Sequence, residues 1–344
     1  MLKRALITGI TGQDGSYLAE FLLDKGYEVY GLVRRTSNNP MVRLGKFDGI
    51  KKIKIIYGNL RDNASLARAL EVSKPDEIYN LAAQSDVGIS FQCPEEAVEV
   101  NYYGVGRLVN EALRICPKAK IYQASTSEMF GKTEPPQNET SLFQPVSPYG
   151  QAKFKAHEDY VVGYRNKHGL LICSGILFNH ESPRRGEHFV TRKITISLAK
   201  IKLGLQEKFA LGNLNAKRDW GYAKDYIEVM WRMLQEEKPD DFVIATGEVH
   251  TVREFVEEAA KFFDIDIEWA GSGMEEKGID RKTKKVVVEV DPAHMRPNEV
   301  DFLRGDASKA QKILGWKPKT AFKDLVRLMA EHDLELVKRE ARLS

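Results

Sequence analysis

Ala5-Leu6-Ile7-Thr8-Gly9-Ile10-Thr11-Gly12-Gln13-Asp14-Gly15 decides the fold of this 344-residue chain. A short apolar strand, Ala5 to Ile7, enters a glycine-rich turn, and apolar residues then recur at helical spacing from Tyr17 to Leu22. Glycines at this spacing let the backbone turn tightly and approach a diphosphate, whose charge the N-terminus of the next helix stabilises. We therefore expect a dinucleotide site, with a purely structural turn as the alternative. Its expected contacts are Gly9, Thr11, Gly12, Gln13, Asp14 and Gly15.

Strands and helices alternate through the rest of the first half. Further strands are predicted at Glu28–Val33, Lys54–Gly58, Glu77–Leu81 and Lys120–Ala124, with a helix from about Val98 to Ile115. This alternation is typical of the α/β class, with a Rossmann-type, doubly wound parallel sheet. Ligands of such sheets bind beyond the carboxyl ends of the strands. The segments expected there are the glycine turn, Leu81-Ala82-Ala83-Gln84-Ser85 and Thr126-Ser127-Glu128.

Two domains are predicted. Another strand ends near Phe178-Asn179-His180, and the pattern then becomes irregular and basic. We predict a Rossmann domain over residues 1–178 and a smaller substrate-binding domain assembled mainly from residues 179–344. Phe242-Val243-Ile244-Ala245 is predicted to be a strand that returns to the first sheet. The remaining predicted segments are an exposed, charged excursion at 275–285 and an amphipathic helix at 322–343.

Composition and charge exclude several functional classes. The net charge of +3 is too small to imply a nucleic-acid partner, and no apolar run approaches the roughly 18 residues of a membrane span. The basic start is followed by an apolar stretch that stops at Thr8-Gly9, so we expect no export signal. Because the three cysteines are widely spaced and form no CxxC pair, we expect a cytoplasmic chain without a metal centre.

The end of the second strand indicates which dinucleotide binds. NAD sites place Asp or Glu there to bind the ribose 2′-hydroxyl, whereas this strand runs into Arg34-Arg35-Thr36-Ser37. Two guanidinium groups suit a 2′-phosphate, which arginine binds in bidentate fashion. We predict NADP, held in part by Arg34 and Arg35, with a solvated basic loop as the alternative.

Tyr149 and Lys153 are four residues apart and therefore lie on one face of a predicted helix. A tyrosine with its ordinary pKa of about 10 is a poor base at neutral pH. A nearby ammonium and the positive charge of a nicotinamide both favour the phenolate. Tyr149 is then able to take a hydroxyl proton while hydride leaves the same carbon, and Lys153 is expected also to hold the nicotinamide ribose.

Thr126-Ser127-Glu128 provides the remaining predicted catalytic groups. Alternation along an extended segment places Thr126 and Glu128 on one side and Ser127 on the other. We expect Thr126 to hydrogen-bond the reacting hydroxyl, with Ser125 and Ser127 as rivals. Oxidation to a ketone acidifies the neighbouring C–H, so Glu128 is the candidate to remove that proton and then to protonate a departing hydroxyl. The alternative for Glu128 is a surface carboxylate.

Together these motifs resemble the GDP-mannose 4,6-dehydratase family of extended short-chain dehydrogenases/reductases, over nearly the whole chain. The other matching segments are Asn179-His180-Glu181-Ser182-Pro183-Arg184-Arg185-Gly186, Phe189-Val190-Thr191-Arg192-Lys193, Leu211-Gly212-Asn213, Arg218-Asp219-Trp220-Gly221, Arg296-Pro297-x-Glu299 and Leu314-Gly315-Trp316-Lys317-Pro318. The resemblance implies that Tyr149 deprotonates O4 of GDP-mannose while NADP takes hydride from C4. It also implies that Glu128 removes the C5 proton and helps to expel water from C6, to which hydride returns.

The resemblance further implies binding residues and an assembly. Expected GDP-mannose contacts are Ser85, Thr126, Glu128, Asn179, Lys193, Leu211, Gly212, Arg218, Arg296 and Glu299; a surface ion pair is the alternative for any single charged one. Further expected cofactor contacts are Asn59, Leu60, Leu81, Ala82, Ala83, Gln84, Ser85, His180 and Arg185. The Arg184-Arg185 loop resembles one that reaches a neighbouring subunit's cofactor site, which implies a homotetramer, or at least a dimer.

Two departures from the family pattern and three rival functions remain. Asn59 stands where the family usually has an Asp that meets adenine, and Glu96 where it has a tyrosine near the adenine ribose. A dTDP-glucose dehydratase typically has Thr-Asp-Glu in place of the triplet ending at Glu128. A 4-keto-sugar reductase or epimerase needs no Glu128 at all. A non-catalytic NADP-sensing module usually lacks the tyrosine or the lysine, and both are present here.

Overall fold

The computed structural model describes residues 2–37, 39–45, 48–295, 298 and 300–343. Its strands are β1 (Arg4–Thr8), β2 (Glu28–Val33), β3 (Lys54–Tyr57), β4 (Glu77–Asn80), β5 (Lys120–Thr126), β6 (Ile172–Leu177), β7 (Asn179–Glu181), β8 (Phe209–Leu211), β9 (Lys217–Arg218), β10 (Trp220–Tyr222), β11 (Phe242–Ile244), β12 (His250–Thr251), β13 (Ile267–Ala270), β14 (Lys277–Asp280) and β15 (Val286–Val290).

The α-helices are α1 (Gln13–Asp24), α2 (Asn63–Ser73), α3 (Val87–Gln92), α4 (Pro94–Val98), α5 (Gly104–Ile115), α6 (Pro148–Ala156), α7 (Gly163–His168), α8 (Val190–Lys202), α9 (Ala223–Gln235), α10 (Val252–Phe262), α11 (Ser308–Leu314) and α12 (Phe322–Leu343). Turns of π-helix, Glu99–Tyr103 and His157–Val162, join α4 to α5 and α6 to α7. Among the described residues, no helix is both long and apolar enough to cross a membrane.

The chain divides into two compact units. The first contains Met1–Phe178, Ala223–Ala245 and Gly305–Lys317; the second contains Asn179–Tyr222, Thr246–Arg304 and Pro318–Ser344. Two stretches beyond Phe178 therefore belong to the first unit. One of them carries β11, which pairs in parallel with β6, and the other carries α11.

A parallel sheet forms the centre of the first unit. Within the described residues it has seven strands, in the order β11-β6-β5-β4-β1-β2-β3, and every pairing is parallel. Its inner strands are apolar on both faces, as in β1, where Ala5, Leu6 and Ile7 are all buried, because helices cover both faces of such a sheet. Separate apolar clusters form on the two faces, one with α1 and α9 and one with α2 and α5. The predicted Rossmann-type fold class is confirmed.

The second unit has a small mixed sheet and its own apolar core. β13, β14 and β15 are antiparallel, and β8 joins β15 in parallel. Its core packs residues of α8, α10 and α12 around Trp220, Phe255 and Phe322. The excursion predicted at 275–285 is exposed over 281–285, but its first half contains β14, which pairs on both sides and buries Gly278 and Asp280. The amphipathic helix predicted at 322–343 is present as α12.

Candidate active site

The glycine turn between β1 and α1 depends on close backbone approaches. Gly9 has a φ of +69°, and a Cβ atom there would lie 2.7 Å from the amide nitrogen of Ala82, beyond the end of β4. A Cβ atom on Gly15 would lie 2.3 Å from the carbonyl oxygen of Gly9. Side chains would therefore fill the turn and separate α1 from β1. The backbone has the shape that a dinucleotide diphosphate requires at a helix N-terminus, so these residues fit such a cofactor.

The segment that follows β4 is fixed by hydrogen bonds from two directions. The Ala82 amide donates to Thr8 Oγ1 at 3.1 Å. The Gln84 amide donates to Asn101 Oδ1 at 3.0 Å, and Asn101 Nδ2 donates back to the Gln84 carbonyl at 2.9 Å. Asn101 is buried in the π-helical turn before α5. It holds the backbone of the predicted Ala82–Ser85 contacts, and the sequence reading did not select it.

The predicted adenosine-side residues lie at the ends of β2 and β3, which are neighbours in the sheet. Arg34 and Arg35 are exposed in the coil after β2. Asn59 uses its Oδ1 to accept the Arg61 amide at 3.1 Å, so part of its hydrogen-bonding capacity serves its own turn. Leu60 is buried. Glu96, the second departure, faces Arg61 across an exposed 3.9 Å ion pair.

Tyr149 and Lys153 both lie on α6, as predicted. Ser147 caps this helix by accepting the Gly150 amide at 3.0 Å, and Pro148 occupies its first turn. A Cβ atom on Gly150 would lie 2.7 Å from the carbonyl oxygen of Glu128. The absence of a side chain at 150 therefore allows the helix to pack directly on the turn that carries Glu128.

Lys153 is buried beside Tyr149. Its Nζ donates to the Ala124 carbonyl at 2.8 Å and lies 5.9 Å from the centre of the Tyr149 ring. Burial lowers the pKa of Lys153 to about 8, because the ammonium is removed from water. The ammonium is therefore still the main form at neutral pH, and its charge favours a nearby phenolate.

The geometry of Thr126-Ser127-Glu128 differs from the prediction. β5 ends at Thr126, and Ser127 to Met129 form a 3₁₀ turn. Alternation of side chains therefore stops at Thr126, and the extended-strand argument that paired Thr126 with Glu128 was wrong. Instead, Thr126 Oγ1 accepts the Glu128 amide at 3.2 Å, which couples the two residues locally and leaves the hydroxyl hydrogen able to donate.

Burial and one hydrogen bond decide two of the open alternatives, that Glu128 is a surface carboxylate and that Ser125 takes the role of Thr126. Glu128 is only 8% exposed, so it is not a surface carboxylate. Ser125 lies within β5, and its Oγ accepts a hydrogen bond from Ser174 Oγ of β6 at 2.6 Å. That contact turns Ser125 towards the neighbouring strand and favours Thr126 over Ser125 as the hydroxyl near the reacting group.

In the second unit, the predicted Arg184-Arg185 loop follows β7, which contains Asn179 and His180. Arg185 is held within its own unit: its Nε lies 3.1 Å from Glu181 Oε2, and its guanidinium lies 3.7 Å from the centre of the Phe189 ring. Glu181 in turn accepts the Thr191 hydroxyl at 2.5 Å.

A buried arginine that the sequence reading did not select supports this loop. Arg192 Nη1 donates to the carbonyls of Pro183 and Arg185, at 2.7 and 2.8 Å. Its Nε and Nη2 contact the two carboxylate oxygens of Asp333 on α12, at 2.9 and 2.8 Å. Thr195 also donates to Asp333, at 2.6 Å. One bidentate ion pair thus fixes the loop backbone to two helices.

Other predicted substrate contacts form a second group in this unit. Lys193 Nζ lies 2.9 Å from His294 Nε2, and burial lowers the pKa of Lys193. Gly212, which follows Leu211 of β8, permits this arrangement, because a Cβ atom there would lie 2.4 Å from the His294 carbonyl. Arg218 is buried in β9. Arg296 and Glu299 lie outside the described residues.

The first unit defines a class of protein. A Rossmann sheet with a glycine turn after its first strand and a buried Tyr-x-x-x-Lys pair beside its fifth is the core of an extended short-chain dehydrogenase/reductase. DesIV of Streptomyces venezuelae, a dTDP-glucose 4,6-dehydratase solved with NAD and TYD bound, has this fold with a TM-score of 0.81. It is 22% identical, and the alignment covers 98% of each chain, so the likeness shows the fold alone.

Sequence comparison is more specific. The family model described as GDP-mannose 4,6 dehydratase matches residues 6–329, so the chain belongs to the GDP-mannose 4,6-dehydratase family. GDP-mannose 4,6 dehydratase 1 of Arabidopsis thaliana is 53% identical over 99% of this chain and 92% of its own length. The GDP-mannose 4,6-dehydratase of Vibrio cholerae is 48% identical over 100% of this chain and 97% of its own. The resemblance read from the motifs is confirmed.

Proposed function

We propose that this protein is a hydro-lyase that converts GDP-D-mannose to GDP-4-dehydro-6-deoxy-D-mannose. The observation that carries the proposal is the packing of α6 on the Thr126–Glu128 turn at Gly150. It brings a buried Tyr/Lys pair and a buried carboxylate to the same end of the parallel sheet, in a chain that belongs to the family. Hydride transfer requires the Tyr/Lys pair, and elimination of water requires the carboxylate.

A nicotinamide dinucleotide is the cofactor class that the glycine turn supports, and NADP is the particular one that we propose. When bound, it would accept hydride from C4 of the sugar and return hydride to C6. Its diphosphate would lie against the turn from Gly9 to Gly15, where side chains are excluded. Arg34 and Arg35 favour a 2′-phosphate over a bare hydroxyl, because they are exposed cations directly after β2.

The oxidation step depends on α6. Tyr149 takes the proton of the O4 hydroxyl, which it can do because the Lys153 ammonium stabilises the phenolate. Lys153 keeps its position through the Ala124 carbonyl. Thr126 donates its hydroxyl hydrogen to O4 while its oxygen accepts the Glu128 amide. These groups together hold the reacting oxygen in one orientation.

The elimination step depends on Glu128. Once C4 is a ketone, the C5 proton is acidic, and the Glu128 carboxylate removes it. The resulting carboxylic acid protonates the hydroxyl at C6, which departs as water, so the proton taken from C5 leaves with the product water. When hydride returns to C6, C5 takes up a proton, and the proton that Tyr149 removed from O4 balances it.

The second unit is proposed to bind the nucleotide sugar and to build the assembly. Lys193 and Arg218, with Asn179 and the Leu211-Gly212 turn, are proposed contacts, because the diphosphate requires cations. We also propose a homotetramer, or at least a dimer, in which the Arg184-Arg185 loop reaches the neighbouring cofactor site. The hydrogen bonds from Arg192 to the carbonyls of Pro183 and Arg185 support a fixed backbone for this contact. Mass photometry would measure the subunit number.

Incubation with GDP-mannose and a trace of NADP, followed by mass spectrometry, tests the proposed activity. We expect the loss of one water from the sugar nucleotide, without net consumption of the cofactor. NAD in a parallel reaction tests the choice of dinucleotide, and dTDP-glucose tests the choice of sugar nucleotide. GDP-mannose that stays unchanged with NADP and also with NAD would contradict the proposed activity, and so would faster turnover of dTDP-glucose.

A further inference from the structure

Three polar side chains cross the middle of the first unit's sheet, where parallel strands normally carry apolar residues. Thr8 and Asn80 end the neighbouring strands β1 and β4, and Gln123 lies in the middle of the next strand, β5. They are paired in register, Thr8 with Asn80 and Asn80 with Gln123. Their exposures are 0%, 1% and 1%. We name these three side chains the polar string.

Hydrogen bonds run through the polar string in one direction. Thr8 Oγ1 donates to Asn80 Oδ1 at 2.6 Å, and Asn80 Nδ2 donates to Gln123 Oε1 at 2.7 Å. Gln123 Nε2 donates to the Ala124 carbonyl at 2.9 Å. At the other end, the Ala82 amide donates to Thr8 Oγ1 at 3.1 Å. The dipoles are therefore aligned, and aligned hydrogen bonds strengthen one another.

Both ends of the polar string are at the candidate active site. Ala82 is the residue whose backbone lies against Gly9 in the glycine turn. The Ala124 carbonyl, at the other end, also accepts Lys153 Nζ at 2.8 Å. A continuous path of five hydrogen bonds thus joins the backbone beside the proposed diphosphate site to the ammonium of the proposed catalytic lysine.

Packing alone does not account for these residue types. Burying a hydroxyl and two carboxamides is unfavourable unless each is hydrogen-bonded. Apolar side chains of the same shape would fill the space with about the same net stability. Polar side chains differ from apolar ones in one respect: their hydrogen bonds are directional and therefore fix the orientation of the groups that they join. Ala124 accepts two donors, so its carbonyl, and with it Lys153, is restrained in orientation.

We propose that Thr8, Asn80 and Gln123 are positioning residues that hold the dinucleotide turn and Lys153 in a fixed relation to each other. Neither the family match nor the motifs assign this role to them. The catalytic part of the inference rests on the proposed function, since kcat is measured with GDP-mannose. The binding part does not, because dinucleotide affinity is measured without sugar substrate.

The test uses a double-mutant cycle between Asn80→Leu and Gln123→Met, both close in shape to the original side chains. We expect each single variant to lower kcat about 10-fold, since small displacements of a catalytic group have effects of this order. KM for GDP-mannose should change less than about twofold. If the residues act as one string, kcat of the double variant should fall no further than kcat of the more affected single variant. A fall in kcat equal to the product of the two single-variant effects would contradict the proposal.

A second readout is the affinity for NADPH, measured by its fluorescence. Thr8→Val removes the hydroxyl that holds the Ala82 amide, and we expect it to weaken NADPH binding about 5-fold, as loss of one hydrogen bond would. Thr8→Ser keeps the hydroxyl and should restore most of that affinity. Equal affinity of wild type and Thr8→Val would contradict the proposed link to the turn.

Ser174→Ala is the matched control. It removes another buried hydrogen bond between adjacent strands of the same sheet, from Ser174 Oγ to Ser125 Oγ at 2.6 Å. We expect it to destabilise the fold about as much as the polar-string variants do, while kcat and NADPH affinity stay within twofold of wild type. A fall in kcat as large as that of Gln123→Met would mean that loss of any buried polar hydrogen bond has this effect, which would overturn the inference. Wild-type protein that binds NADPH but leaves GDP-mannose unchanged would refute the proposed function and not the string.

Discussion

Two lysines with lowered pKa values show how the two units differ. Lys153 of the first unit is 3% exposed and is held by a carbonyl of the sheet. Lys193 of the second unit is partly exposed, and its ammonium lies 2.9 Å from the imidazole of His294. Both lysines have a partner within the protein, a backbone carbonyl for Lys153 and an imidazole nitrogen for Lys193. Lys193 differs in keeping part of its side chain exposed, and the charge of Asp291 opposes the effect of burial on its pKa. The roles proposed for the two lysines follow this difference: Lys153 is proposed to be a preorganised catalytic group, and Lys193 a contact to the substrate diphosphate.

The largest expected effect tests the first unit's half of this comparison. Tyr149→Phe removes the proposed base for the O4 proton, and we expect kcat to fall about 10²- to 10⁴-fold, the range for a lost general base. Glu128→Gln should lower dehydration by a similar factor while leaving oxidation at C4 intact. Stopped-flow absorbance at 340 nm measures the first hydride transfer, and mass spectrometry measures the loss of water.

The two variants serve as controls for each other. With stoichiometric NADP and GDP-mannose, Glu128→Gln should produce absorbance at 340 nm without dehydrated product, whereas Tyr149→Phe should produce neither. Normal dehydration by Glu128→Gln would show that the buried carboxylate has no part in elimination. Absorbance at 340 nm from Tyr149→Phe would assign the O4 proton to another group.

The next prediction concerns the stability of the second unit. Asp333 is fully buried and pairs with Arg192 through both carboxylate oxygens. Asp333→Asn leaves the guanidinium buried without a counter-charge, so we expect the free energy of unfolding to fall by about 3 kcal/mol. Urea denaturation measures this change. Asp324→Asn, in the same helix, breaks an exposed pair with Arg327 and should change the free energy of unfolding by no more than about 0.5 kcal/mol. Equal effects would mean that Arg192 does not depend on Asp333.

Much of the first unit could be predicted from the sequence because its motifs consist of residues at short, regular spacings along the chain. The glycine turn, the strand ends and the Tyr149/Lys153 helix each depend on residues close together in the chain, and all three are present. The 3₁₀ turn after Thr126 could not be predicted in this way, because an apolar strand followed by Ser and Glu has no signal for where extension ends. Gly150, whose missing side chain admits Glu128, gave no signal either.

Long-range contacts explain most of what the sequence did not reveal. Lys193 and His294 are separated by 101 residues, and Arg192 and Asp333 by 141. Nothing in the local pattern links such pairs. The pairing of Asn80 with Gln123 was hidden for a different reason. Asn80 at the end of a strand looks like the start of a loop, and Gln123 within a strand looks like an isolated polar residue; only the register of the sheet shows that the two carboxamides are neighbours.

A smaller expected change in stability distinguishes two reasons why a position requires glycine: a positive φ alone, or a positive φ together with close packing against another segment. Gly9 and Gly26 both have positive φ, +69° and +79°, but only Gly9 is crowded by another segment. Gly26→Ala should cost about 1 kcal/mol of unfolding free energy, from backbone strain alone. Gly9→Ala should cost about 2 kcal/mol more, because Ala82 has to move, and it should weaken NADPH binding at least 10-fold. Similar stability and affinity in the two variants would mean that the close approach at Gly9 is unimportant.

The last prediction returns to the two lysines and concerns a small change in stability, a gain where the preceding variants show losses. Lys153→Met should abolish turnover yet raise the free energy of unfolding at pH 7 by about 1 kcal/mol, because a buried ammonium is replaced by an apolar side chain of similar length. The Ala124 carbonyl keeps the hydrogen bond from Gln123. Lys193→Met, which replaces a less buried ammonium, should give no such gain.

The dependence of this gain on pH identifies its cause. The pKa of Lys153 is lowered from its unfolded value of 10.5 to about 8 in the folded protein. Below pH 8 both states bind the proton, and the wild-type protein bears the full penalty of the buried charge. Between pH 8 and 10.5 the unfolded state alone keeps the proton, so wild-type stability rises with pH. The advantage of Lys153→Met in urea denaturation should therefore be largest at pH 7 and smaller at pH 9.5. An advantage that is equal at both pH values would mean that better packing, and not relief of a buried charge, explains the gain.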